Sequence, residues 1–93
     1  MFTQTRKILV GTSPVSVYSR AAHQVQSVII HAAGDVEVSV GHPCAYGDGL
    51  PVPTGGAYAI GREDLPDSAD LLEIYAVSLS NTSVRVVEVV LVS

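Results

Sequence analysis

Ninety-three residues suffice for one domain, and a chain of that length buries about 60 to 70 % of its unfolded surface, which excludes a second core or a large insertion. The composition is 47 % hydrophobic but only 5 % aromatic, so Val, Ile, Leu and Ala must build the interior, and β-branched residues favour strands. A net charge of −4 argues against binding a nucleic-acid backbone, and the single cysteine, Cys44, excludes an internal disulfide and a multi-cysteine zinc cluster.

The first strand is predicted over Thr3 to Val10, centred on Lys7-Ile8-Leu9-Val10, with Gly11-Thr12-Ser13-Pro14 as a turn. That apolar run is too short for the core of a signal peptide, and no stretch approaches the ~18 apolar residues of a membrane helix. The expectation is a soluble protein made in the cytosol without a classical export signal. Val15, Val17 and Tyr18 make a short second strand, and Ser19 to His23 is a polar connection with a helical turn at most. Gln24 to His31 is apolar on both parities and should be a central strand. After the turn Ala32-Ala33-Gly34-Asp35, the segment Asp35 to Gly41 alternates, with Val36, Val38 and Val40 toward the core and Asp35, Glu37 and Ser39 outward.

From Gly41 to Gly56 glycines and prolines confine regular structure to Leu50-Pro51-Val52, and Ala57 to Ile60 is a further strand. Gly61 to Asp70 reads as an exposed acidic loop. Leu71 to Leu79 and Val84 to Val92, joined by Ser80-Asn81-Thr82-Ser83, read as a β-hairpin in which Leu79 faces Val84 and Ile74 faces Val89. One face then carries Leu72, Ile74, Ala76, Val87, Val89 and Leu91 and is the predicted core. The other carries Leu71, Tyr75, Val77, Leu79, Val84, Val86, Val90 and Val92, with Glu73 and Glu88 expected at a wet edge or against a basic partner. The whole predicts a single all-β domain over residues 1–93, a jelly-roll-like antiparallel β-sandwich of seven or eight short strands, with residues 1–10 as a docking strand or arm.

Charged residues are 15 % of the chain against a usual level of about 25 %, which suits an oligomer or a surface-bound subunit. The excess apolar face of the hairpin, Tyr75, Val77, Leu79, Val84 and Val86, is therefore the expected subunit interface. Arg6, Lys7 and Arg20 precede every acid in the chain, so the N-terminal third is the part suited to an acidic surface.

Residue spacing bears on three chemistries. His42 and Cys44 stand two apart, with His23, His31, Asp35 and Asp48 as further ligands, but a structural zinc site needs paired ligands at fixed spacing and only one pair exists. Glu63, Asp64, Asp67 and Asp70 lack the spacing of a calcium loop, and Cys44 has no marked orienting acid for nucleophilic catalysis. No cofactor, metal or catalytic residue is expected, so the chain reads as a non-enzyme. The alternative from another class is a cupin-like metal enzyme or carbohydrate-binding module using His31, His42 and Asp35.

The run Val25 to Ile30, Val36-Glu37-Val38-Ser39-Val40-Gly41, Gly49-Leu50-Pro51-Val52, Gly55-Gly56-Ala57-Tyr58-Ala59-Ile60, Glu73-Ile74-Tyr75-Ala76-Val77-Ser78 and Val84-Arg85-Val86-Val87-Glu88 resembles small β-sandwich virion structural proteins of tailed bacteriophages. The resemblance covers about two-thirds of the chain. It implies a capsid cement or decoration subunit on the outside of the head shell, or else a neck or tail accessory protein. The expected partners are the major capsid protein, through Arg6, Lys7 and Arg20, and sister subunits in a homo-oligomer, a trimer, with no nucleic acid and no membrane. The expected location is the virion surface after synthesis in the host cytoplasm.

Overall fold

The computed structural model describes residues 2–65 and 70–91. Eight strands follow in chain order: β1 Phe2–Val10, β2 Val15–Ala21, β3 Val25–Ala32, β4 Val36–Val40, β5 Leu50–Val52, β6 Ala57–Gly61, β7 Leu71–Ser78 and β8 Thr82–Val90. Single 3-10 turns lie at Ala22–Gln24 and Arg62–Asp64. The strands form two four-stranded antiparallel sheets, β1-β8-β3-β6 and β2-β7-β4-β5. Apart from the step from β4 to β5, each connection carries the chain from one sheet to the other. This is the strand order of a jelly roll, so the predicted fold class is the one observed.

Alternation within each strand decides what lies between the sheets. Val36 and Val38 of β4 and Leu72, Ile74 and Ala76 of β7 meet Val28 and Ile30 of β3 and Val84 and Val86 of β8 in one buried cluster. Fully burying one such side chain is worth about 1.5–3 kcal/mol, so branched aliphatics replace the missing aromatics as the source of stability. Val40 departs from its expected place in the core: it is 40 % exposed at the end of β4, where no strand of β5 reaches it.

The predicted hairpin does not form. β7 is hydrogen-bonded to β2 and β4, while β8 is hydrogen-bonded to β1 and β3 in the opposite sheet. Both strands are apolar on both parities because each is interior to its own sheet. The connecting tetrad also lacks the Asn-Gly or Gly-x pair that a two-residue hairpin turn takes, and no non-glycine residue among those described has positive φ. Leu79-Ser80-Asn81 instead carries the chain across the end of the sandwich, where the Ser78 amide donates to the Gly11 carbonyl at 2.8 Å. The crossing reverses β8 relative to expectation: Val84, Val86, Glu88 and Val90 face inward, and Val87, Val89 and Leu91 are half-buried on the outside.

Turns 11–14, 33–35, 53–56 and 79–81 share one end of the sandwich, tied by bonds such as Ala33 N–H to Ser83 C=O and Gly55 N–H to Ala32 C=O. The connections 22–24 and 41–49 and the turn after β6 lie at the other end. β1 is integral to its sheet, paired with β8 along its whole length.

Candidate interaction face

The five residues expected at a subunit interface do not share a surface. Val84 and Val86 are in the core, each 1 % exposed, so that part of the expectation is overturned by the reversal of β8. Tyr75 and Val77 stand on the outer face of the second sheet, and Leu79, 70 % exposed, projects from the crossing turn. Val92 and Asp67, which belonged to the expected apolar face and acidic cluster, lie outside the described residues.

The outer face around Val77 is closed by the chain itself. Loop 41–49 turns back over β4: Glu37 Oε1 accepts from the Gly47 amide at 2.7 Å and the Gly49 amide at 3.0 Å, and the Ser39 hydroxyl donates to the His42 carbonyl. Gly41 (φ 90°) and Gly47 (φ 103°) adopt the left-handed backbone that this return requires. Glu37, Ser39 and Val77 are buried in consequence although they point away from the core. Tyr75, beside them, donates to Glu73 Oε2 at 3.2 Å, and the Glu73 charge pushes its phenol up from the ordinary value. Cys44 belongs to the same loop and is half-buried, so close to Gly49 that a Cβ there would stand 2.8 Å from its sulfur. Glu37→Ala strands two amide donors, and it is expected to destabilise the domain by about 1–3 kcal/mol and to speed alkylation of Cys44 by a thiol reagent. An unchanged alkylation rate would show that Glu37 does not hold the loop.

Glu88 is the one carboxylate among the described residues that faces the core, and it is 1 % exposed. Arg20 reaches across from β2 and grips it with both nitrogens of the fork, Nε to Oε2 at 3.0 Å and Nη2 to Oε1 at 3.1 Å, while Arg6 Nη2 stands 3.9 Å from Oε1. Burial alone pushes Glu88 up; the Arg20 hydrogen bonds, the Tyr18 hydroxyl and the charges of Arg20 and Arg6 outweigh it and hold the carboxyl below the usual range. Tyr18 packs beside Glu88, its phenol raised by burial and by its interaction with that carboxylate, and its hydroxyl has no partner at full hydrogen-bond geometry. Tyr18→Phe is therefore expected to leave Tm unchanged or raise it, since removing an unsatisfied buried hydroxyl relieves about 1–3 kcal/mol of desolvation. A clear fall in Tm would mean that the hydroxyl serves Glu88.

Two of the three residues expected to contact an acidic partner thus meet this buried carboxylate, and the third does not. Lys7 is on the outer face of the first sheet, directly opposite Arg85 on β8, which in turn stands opposite His31 on β3. Like charges directly opposite one another destabilise an antiparallel pair. Beside this basic row the same face carries Ile29, Val87 and Val89, all half-buried, and Leu9 is 66 % exposed at its other flank. The face thus combines half-buried apolar side chains with a border of paired cations. Arg85 was missed in the sequence because its position opposite Lys7 depends on β8 pairing with β1, a contact between residues at opposite ends of the chain.

His31 and His42 do not share an end of adjacent strands as the cupin-like alternative requires. β3 and β4 belong to different sheets, with His31 near the end of β3 and His42 beyond the far end of β4. Among the described residues no three His, Cys, Asp or Glu side chains converge as a metal-binding group. Asp35 serves the fold: it accepts from the Thr54 amide and hydroxyl, both at 2.9 Å, which lowers its carboxyl from the ordinary value.

Fold and surface together define an eight-stranded jelly-roll domain with one open, basic-edged sheet face. No protein-family model and no curated protein matches the sequence. Among solved structures the chain is similar in fold to the crystal structure of the SPBc2 prophage-derived protein YomS, with a TM-score of 0.51 and 11 % identity over 95 % of each chain.

Proposed function

We propose that this chain is a structural subunit of a tailed-bacteriophage virion, and specifically a capsid cement subunit that binds the outside of the head shell and works as a homo-oligomer. The observation that carries the reading is the likeness in fold to a prophage-derived protein over nearly the full length of both chains. The mechanism is adhesive. The row Lys7–Arg85–His31 meets carboxylates of the major capsid protein, while Ile29, Val87 and Val89 lose water to the same contact. Arg6 and Arg20 support this face from behind through Glu88. Many weak copies sum by avidity.

The test is occupancy on purified head shells. Lys7→Glu/Arg85→Glu is expected to lower occupancy by roughly ten-fold or more, as reversal of paired interfacial charges does, with the wild-type interaction weakening as salt rises. Wild-type occupancy by the double variant would overturn the proposed contact.

A further inference from the structure

The four sheet edges are not alike. β2 is interrupted by a register shift between Ser16 and Tyr18, and β5 is three residues long with Pro51 inside it and Pro53 after it. Bulges, short strands and prolines blunt an edge against pairing. The edges of the first sheet carry none of these. β1 keeps an unbroken register with β8 from Phe2 to Val10, and β6 pairs with β3 without a shift from Ala57 to Gly61.

We propose that β1 of one copy pairs with β6 of the next, so that the first sheet continues from molecule to molecule in a head-to-tail ring. This deepens the oligomeric part of the function proposed above and rests on it. Strand direction permits the join: each neighbour in β1-β8-β3-β6 is antiparallel, so β1 and β6 run oppositely. A copy rotated about an axis along the strands therefore brings its β1 antiparallel to β6. Self-pairing of β1 centred on Arg6 would instead set like charges opposite each other.

The side chains fit the same join. Beside β6 lies an apolar groove of about 420 Å³ whose lining includes Val40, Tyr58, Ile60, Leu65 and Leu72. Tyr58 and Ile60 share the core-side parity of β6, and Phe2 has the core-side parity of β1 yet is 40 % exposed. Phe2 of the incoming strand and this groove lie at the same end of the sandwich. On the outer parity β6 offers Ala57, Ala59 and Gly61, which let a neighbouring strand approach.

The experiment is disulfide trapping of the isolated protein. In a Cys44→Ser background, Ala59→Cys is combined in turn with Thr3→Cys, Thr5→Cys or Lys7→Cys, all on the outer parity, and the protein is oxidised. Directly opposed residues place Cβ atoms about 4.5–5.5 Å apart, near enough for modest adjustment to close a bond. At least one pair is expected to give a reducible ladder beyond the dimer, and Phe2→Ser is expected to weaken association about ten-fold by light scattering. No ladder in any pair, dimers from a single-cysteine variant, or a monomer at every concentration would overturn the proposal. Its failure leaves the shell contact at Lys7 and Arg85 standing, and absence of the chain from virions leaves the ladder standing.

Discussion

Arg20→Met is expected to destabilise the domain by about 3 kcal/mol, the lower end of the cost of stranding one partner of a buried ion pair, because the Arg20 side chain keeps 25 % exposure. In a domain of this size that lowers Tm by at least about 12 °C. Adding Glu88→Leu removes the stranded charge, and the double variant is expected to recover most of the loss. Thermal melts of the wild type, both single variants and the double variant complete the cycle, and independent additive losses would contradict the pairing.

The pair also fixes a pH dependence. Glu88 is held below its unfolded value, so its contribution is complete above about pH 4.3, the ordinary range for a glutamate, and is lost as pH falls through the lower folded value. The Arg20→Met/Glu88→Leu variant is expected to lack that part of the acid sensitivity.

Val86→Asp should prevent folding or cost more than about 4 kcal/mol, while Val87→Asp should cost far less. The two positions are adjacent, but Val86 is 1 % exposed between the sheets and Val87 is half-buried on the outer face. A hairpin of β7 with β8 would give the reverse order, because it places Val87 beside Ile74 in the core. Urea denaturation of the two variants therefore separates the two arrangements of the same strands.

The strands were legible because the signal for each is local. Val36 and Val38 alternate with polar neighbours, Gly41 to Gly56 is marked by glycine and proline, and the two-parity apolar run within Gln24 to His31 announced the interior strand observed at Val25–Ala32. What was not legible is how strands pair across the chain. β7 and β8 are separated by three residues, and the short separation suggested a hairpin, yet each is required as an interior strand of a different sheet. The main errors at the candidate site follow from that one step. It turned Val84 and Val86 outward, and it hid both the Arg20–Glu88 pair, 68 residues apart in sequence, and the row formed by Lys7 and Arg85. Of the two places expected for Glu88, a wet edge or a basic partner, it takes the second, with Arg20 of its own chain, because desolvation of a carboxylate does not depend on topology.

Cryo-electron microscopy of whole particles tests the proposed function most directly. The expected result is density for the jelly roll on the outside of the head shell, with the face bearing Lys7, Arg85 and Val87 against the major capsid protein. Particles whose reconstructed head and tail contain no density for this chain would contradict it.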